Sequence, residues 1–458
     1  QSLISKFFSC LFFLIFWLLF VFPSAQGTWT QQERKRSYKM FKRGTFKDAT
    51  AAGPLGSVRG RTGSIQMEME QASVQRHGFN EALSETISLH RRPPEARHPE
   101  CFGEKYSEIL PSASVVICFH EEPWSTLMRT VHSVLDTSPR QYLQEVLLVD
   151  DLSQNRSYVS GLDGVRLIHS TRRLGVGGCR TMAAAKAKGQ VLVFMDSHCE
   201  CHEGWLEPLL ERVSQDRSRV VSPVMDVIDW KTFQYNATQW PVRGVFDWRL
   251  DFYWELNPPS PALGGGVLAI DRNFFQSVGA YDPGMLLWGA EQIELSIRVW
   301  SCGGSMEVVP CSRVAHLSRH HLPYIFPDQE MLRRNKIRVA DIWMDAYKKI
   351  YYRRDTLSES PNIAERLRLK RSLGCRNFHW FLSTVYPQLY VPQDKLAFGQ
   401  LVHQQSQMCV EAVQQAGLLQ SKTGEVHKPT AGGLYLKPCT RHPRQQWHFE
   451  QLVAPKGN

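Results

Sequence analysis

No aromatic–basic pattern repeats along this 458-residue sequence, and its net charge of +10 lies largely in linker stretches such as Arg34-Lys35-Arg36 and Arg91-Arg92. That excludes a nucleic-acid reader. The charge still favours an anionic partner, an acidic lipid, a phosphorylated substrate or an acidic glycan, without choosing among them. Residues 27–95 lack any sustained apolar period and are rich in Lys, Arg, Gln and Ser, which predicts a stem or linker with one amphipathic piece. The sequence starts at Gln1 with no initiator methionine, so further N-terminal sequence is expected. Core material is plentiful, with 43% hydrophobic residues, 13 Trp and 23 Phe. Set against 21% charged residues, this is the balance of a globular protein.

Phe7 to Phe22 is apolar apart from Ser9 and Cys10. With Leu3 and Ile4 the run reaches about 20 residues, enough for a helix to cross a bilayer. It predicts an uncleaved signal-anchor over residues 1–26. The alternative is a cleaved signal peptide, because Pro23-Ser24-Ala25-Gln26-Gly27 supplies small residues after the run. Either sends the remainder into the secretory pathway. Most of the 11 cysteines are expected to pair there, and the odd count leaves at least one out, Cys10 being the obvious one. The sequons at Asn155 and Asn236 fit that compartment.

From Ser112 the texture changes. Ser114–Phe119, Glu145–Val149, Val165–Ile168 and Gln190–Met195 are short apolar runs that predict buried strands. Thr126–Leu135 and an Ala-rich stretch from Cys179 to Lys188 predict intervening helices. Strand and helix in alternation argue for a doubly wound, parallel α/β sheet, Rossmann-like, with helices on both faces. Further strands are expected at Gly266–Ile270 and Met306–Val309, and a basic helix carrying Arg366, Arg368, Lys370 and Arg371 before Cys375. The chain after about Gly399 reads as a separate small piece.

Ligands of such sheets bind beyond the carboxyl ends of the strands. Asp150, Asp151 and Asp196 are expected there. Residues i and i+2 of a strand share a face, so Asp196 and His198 are expected to reach one point and suit a divalent cation such as Mn²⁺. The alternative is a helix N-cap by Asp196 or Ser197 with a solvated His198. A metal there would offset the charge of a departing diphosphate. Asp151 suits a ribose or base, and Arg173 and Arg180 suit phosphate.

Several long stretches carry a resemblance: Phe119-His-Glu-Glu-Pro-Trp-Ser-Thr126, Val149-Asp-Asp151, Asp196-Ser-His-Cys-Glu200, Gly204-Trp-Leu-Glu-Pro-Leu-Leu-Glu211, Trp288-Gly-Ala-Glu291, Pro310-Cys-Ser-Arg-Val314 and Val339 to Tyr347. In this order they resemble the polypeptide N-acetylgalactosaminyltransferases over roughly residues 85–395, and again at the C-terminus. The resemblance implies a GT-A fold over residues 96–395 and retaining transfer of GalNAc from UDP-GalNAc to Ser or Thr of polypeptides. It implies a Golgi membrane protein, single-pass type II, with the catalytic domain lumenal. By matching position, Asp196, His198 and His316 are the expected metal ligands, for Mn²⁺. Cys118, Asp151, Arg173, Ser197, Gly265 and Gly266 are expected on the nucleotide sugar, as are Trp288, Arg319 and Tyr324. Glu291 matches the catalytic-site glutamate. The resemblance also implies cysteine pairs Cys101–Cys311, Cys302–Cys375 and Cys409–Cys439. Met408-Cys-Val-Glu-Ala412, Leu434-Tyr-Leu-Lys-Pro-Cys439 and Gln445-Gln-Trp447 resemble one repeat of a ricin-type β-trefoil, a partial lectin piece over residues 396–458.

Departures from the family pattern lie around the expected donor site. Gly178 replaces an arginine, and with Gly177 it weakens a helix start by roughly 1 kcal/mol per residue. Ala290 stands where the family has glycine, and suffers if that position needs a positive φ. Gln292, Leu322, and shortened stretches between Asp151 and Val165 and between Trp254 and Pro261 add to this. They leave open a second reading, an impaired pseudoenzyme that partners or regulates active relatives. A third, a secreted binding module built on the lectin remnant, has less behind it.

Overall fold

The computed structural model describes residues 62–154, 162–256, 259–322, 330–353 and 361–392, with 398–400, 408–414, 432–437 and 446–448. The expected anchor and Tyr324 lie outside these residues, as does Cys439, and with it the third cysteine pair. Among the described residues no helix is long and apolar enough to cross a membrane.

The strands run β1 (Ala113–Phe119), β2 (Leu143–Asp150), β3 (Val165–His169), β4 (Val191–Asp196), β5 (Cys199–Cys201), β6 (Arg219–Ile228), β7 (Tyr235–Asn236), β8 (Val242–Phe246), β9 (Phe252–Leu256), β10 (Val267–Asp271) and β11 (Ser305–Leu317). Among them stand helices α1 (Thr62–His77), α2 (Trp124–Thr137), α3 (Gly175–Ala184), α4 (Leu206–Gln215), α5 (Glu291–Ser301), α6 (Met331–Trp343) and α7 (Ala364–Ser372). One nine-stranded sheet has the order β3-β2-β1-β4-β10-β6-β11-β5, with β7 on β6. Strands β3, β2, β1 and β4 are parallel, as their continuous apolar runs predict. The second half is mixed: β10 is antiparallel to β4 and β6, and β11 is parallel to β6 but antiparallel to β5. The sheet is thus mixed, with the parallel first half that a mostly parallel, Rossmann-like sheet calls for. A buried strand reads as an apolar run in either direction, and only the chain's path sets its sense.

Both faces of the parallel half are covered. Val115, Ile117 and Val193 pack under Leu127, Val131 and Val134 of α2 on one face. Val116, Leu192 and Phe194 pack under Cys179 and Ala183 of α3 on the other. A second apolar cluster joins β8, α5 and α6 to the segment around Phe378 and Phe381. The disulfides Cys101–Cys311 and Cys302–Cys375 form as the resemblance implies. The expectation that most cysteines pair is corrected among the described residues: Cys118, Cys179, Cys199 and Cys201 are free. Three of these are fully buried and serve as small apolar core residues, with burial pushing the Cys199 and Cys201 thiols up.

Helix α3 starts at Gly175, four residues before the expected start at Cys179, despite its glycines. Tertiary partners replace the missing local preference. Asp151, just past β2, accepts the Leu174 and Gly175 N–H groups at 2.7 and 2.9 Å. Gly175 has φ +73°, and a Cβ there would lie 2.2 Å from the Leu287 Cα, so glycine is required. In the C-terminal piece, strands Cys409–Gln414 and Gly432–Lys437 pair antiparallel, as do Phe398–Gln400 and Gln446–His448.

Candidate functional site

Parallel pairing fixes where the chemistry collects. Cys118 of β1 lies level with Asp196 of β4 and Val149 of β2, and Phe119 level with Asp150. The carboxyl ends of three strands thus meet at one edge of the sheet. At Asp196 strand β4 ends, and a turn at Ser197-His198 leads into β5. Asp196 and His198 therefore converge through a turn, which corrects the expectation that strand alternation aligns them. No helix follows, so an N-cap role for Asp196 or Ser197 is ruled out as well. Thr130 of α2 fixes the turn: its hydroxyl donates to the Ser197 carbonyl at 3.0 Å and accepts the Cys199 N–H at 2.9 Å.

The antiparallel β5–β11 pairing sets His316 opposite Cys199. Ligand atoms of Asp196, His198 and His316 all lie within 4.8 Å of one another. The His316 Nε2 is 3.2 Å from the Asp196 Oδ2, and the two imidazole centroids are 4.6 Å apart. The donor set suits a divalent cation. Burial pushes the Asp196 carboxyl up, but the His316 hydrogen bond and the Arg180 charge outweigh it and hold it below the ordinary range. Burial first, and then the Arg319 charge, lower the His198 pKa, which favours the neutral form that a metal ligand needs.

Gly266 lies against this cluster: its carbonyl accepts the Asp196 N–H at 2.8 Å, and a Cβ there would sit 3.3 Å from the His316 ring. Arg180 was expected to face phosphate. It is buried instead, donating to the Asp196 Oδ1 at 2.9 Å, the Gly265 carbonyl at 2.7 Å and the Tyr281 hydroxyl at 3.2 Å. A guanidinium in the core needs such partners, and Asp196 supplies the charge. Glu291 is buried at the start of α5, and its Oε2 accepts the Gly289 N–H at 2.6 Å. Burial, only partly offset by the backbone N–H groups and Arg180, raises its carboxyl pKa. Trp288 is half-exposed beside it, and both line a small pocket with Val176, Gly177, Tyr281 and Leu287.

The expected nucleotide side is held less openly. Asp151 is buried, its oxygens taken by α3 and by Arg173, whose Nη1 donates to the Oδ2 at 2.5 Å. Cys118 is half-buried beside the Cys179 thiol. Ser197 donates to the Glu122 Oε2 at 2.7 Å. Arg319 turns inward, donating from Nη2 to both Glu122 oxygens at 2.7 Å and from Nη1 to the His77 carbonyl at 2.6 Å.

Glu122 is the residue the sequence reading missed. Its buried carboxylate also lies 3.2 Å from the His198 Nδ1. Burial works against its charge, but Arg319 and His198 hold the carboxyl far below the ordinary range. A carboxylate there favours the proton on Nδ1, against the Arg319 Nη2 at 3.2 Å from the same atom, and that tautomer would leave Nε2 for a metal. The signal available was its position three residues beyond the end of a buried strand, within Phe119-His-Glu-Glu122.

Two family models match the chain, glycosyl transferase family 2 over residues 114–275 and the N-terminal domain of galactosyltransferase over residues 252–321. A solved structure, "Crystal structure of GalNAc-T7 with UDP, GalNAc and Mn2+", superposes with a TM-score of 0.67 at 32% identity, covering 87% of this chain and 79% of that one. The chain belongs to the polypeptide N-acetylgalactosaminyltransferase family. It is 46% identical over 409 residues to the human polypeptide N-acetylgalactosaminyltransferase 15, covering 83% of this chain and 64% of that protein. It is 44% identical over 378 residues to the mouse type 12 enzyme, covering 76% and 65%. The chain thus spans just under two thirds of the length of these curated relatives. The fold is GT-A, as the resemblance implied.

Proposed function

We propose that this protein transfers GalNAc from UDP-GalNAc to Ser or Thr hydroxyls of polypeptides with retention at the anomeric carbon, initiating mucin-type O-glycosylation. The observation that carries this reading is the convergence of Asp196, His198 and His316 at the ligand edge of a GT-A sheet in a chain of this family. These three residues would hold Mn²⁺, which supplies charge neutralisation of the departing diphosphate. Cys118, Asp151, Arg173 and Ser197 build the nucleotide side. Of these, Asp151 and Ser197 act by holding Arg173, α3 and Glu122 in place. Gly265 and Gly266 let the sugar approach the backbone, and Trp288, Arg319 and Tyr324 belong to the donor side. Retention puts the acceptor on the face that UDP leaves, so Glu291 organises the site from behind the sugar. The proposed setting is the Golgi lumen, with the chain tethered by the segment over residues 1–26.

A second reading, a pseudoenzyme, draws on one observation. Ala290 sits at φ +66°, where the family's glycine would be unstrained. The experiment is transfer itself. The protein is made in a secretory host and given UDP-GalNAc, Mn²⁺ and a Thr-rich mucin-like peptide, and one added HexNAc is sought by mass spectrometry. Transfer that disappears in Asp196→Ala is expected. A folded protein that binds UDP but modifies neither peptides nor pre-glycosylated peptides would establish the pseudoenzyme.

A further inference from the structure

A second group of metal-type ligands lies away from the site just described. His132 and Asp136 are four residues apart on α2, so they project from one face of the helix. His90 comes from the segment preceding β1, 42 positions before His132 in the chain. The His90 Nδ1 is 2.6 Å from the Asp136 Oδ2, and the His90 and His132 ring centroids are 4.3 Å apart. One ligand atom from each of the three residues lies within 4.8 Å of the others. We propose that His90, His132 and Asp136 form a second divalent-cation site, suited to Zn²⁺, that clips the segment before β1 to helix α2. The inference does not depend on the transferase reading.

The donor chemistry favours zinc over a hard cation. Two imidazoles and one carboxylate are a common Zn²⁺ set, and Mg²⁺ and Ca²⁺ prefer oxygen alone. In a tetrahedral Zn²⁺ site, bonds near 2 Å put ligand atoms about 3.3 Å apart. The present spacings, 2.6 Å between His90 and Asp136 and within 4.8 Å overall, bracket that value. His90 and Asp136 are exposed and His132 is partly so, which leaves water access to the fourth position.

The scaffold around these residues is built rather than incidental. Arg129, one turn before His132, is buried and donates to the carbonyls of Ser84 at 2.7 Å, Ile87 at 3.3 Å and Ser88 at 3.2 Å. It pins the backbone just before His90 to the helix that carries the other two ligands. Arg91, next in the chain, forms a bidentate pair with Glu200 at 2.8 and 2.6 Å. His90 is therefore held on both sides. Sites supported by such locked neighbours keep ligand geometry without a large ordering cost on binding.

The test uses the full chain carrying Asp196→Asn, so that the first cluster loses a ligand. Zn²⁺ alone is the probe, in equilibrium dialysis with the bound metal counted by mass spectrometry. One Zn²⁺ per chain is expected, and both His132→Gln and His90→Ala should weaken it at least tenfold. Melting temperatures without metal check that each variant is folded, and exposed His90 gives a variant that spares the core. Adding Zn²⁺ should raise the melting temperature of the Asp196→Asn chain, and not that of the two histidine variants. Absence of Zn²⁺ binding in the Asp196→Asn chain, or equal binding in all three chains, would overturn the proposal.

Discussion

Glu122→Gln separates a positioning role from a merely structural one. The wild-type carboxylate accepts from Ser197, His198 and Arg319 in a fully buried position. Glutamine keeps the shape and one acceptor oxygen but turns an NH₂ group toward groups that already donate. Two losses follow. Arg319, with 9% of its side chain exposed, loses its counter-charge. Removing one partner of a buried pair costs about 3–5 kcal/mol, with glutamine at the lower end because it keeps one hydrogen bond. His198 also loses the acceptor that fixes its tautomer. Losing such an outer partner typically weakens metal binding about 10–100-fold, or roughly 1.4–2.7 kcal/mol. The assay is Mn²⁺ affinity, from the electron paramagnetic resonance signal of free Mn²⁺, with a melting curve in chelator beside it. A lower melting temperature together with a 10–100-fold rise in Kd is expected. A lower melting temperature with unchanged Kd would refute the positioning role and leave Glu122 as a partner of Arg319 only.

Ala290→Gly should be close to neutral. A left-handed alanine costs about 1–2 kcal/mol. Against its relief stand about 0.8 kcal/mol for the buried methyl and 0.4–1 kcal/mol for the looser unfolded chain. Because Ala290 already holds the backbone shape and its methyl packs in the α5–α6 core, transfer should change less than about threefold while stability moves by no more than about 1 kcal/mol. A large gain in transfer would point to a strained donor site and favour the pseudoenzyme. His202 predicts an acid-side loss of stability. Burial, against a weaker pull from Asp226, moves its pKa from 6.5 down to about 4. Below the ordinary value the unfolded chain takes up a proton that the folded chain refuses, so stability is full above pH 6.5 and falls as pH drops toward 4. The loss approaches about 3 kcal/mol at the lower end. His202→Gln should flatten that part of the melting-temperature profile, and parallel profiles for the two chains would refute the assignment.

The site was legible in proportion to how local its signals are. Asp196 and His198 stand at the end of an apolar run, and their chemistry was readable there even though the expected geometry, strand alternation, was wrong. The glycines of α3 argued for a weak start, yet Asp151 and Leu287 hold it at Gly175. Arg180 looked like a phosphate ligand because a sequence shows its charge and not its burial. Glu122 was passed over because its partners Ser197, His198 and Arg319 lie 75, 76 and 197 positions away.

Composition and periodicity alone determined the alternation of strands and helices and the strand ends where the proposed site lies, but not that Phe79 and Ser84, within the expected linker, are buried against the domain. Those properties follow from burial period and chain stiffness, which act over a few residues at a time. Family motifs added His316 to the proposed ligand set, and two disulfide pairs. The tertiary structure alone decided the mixed sense of the sheet, the turn that joins Asp196 to His198, and the pairing of β5 with β11 that brings in His316. It also decided that Glu122 and Arg180 stand behind the cluster as buried charges. Each depends on contacts between distant segments, and the free energy of a buried charge is set by the partners that the fold brings to it.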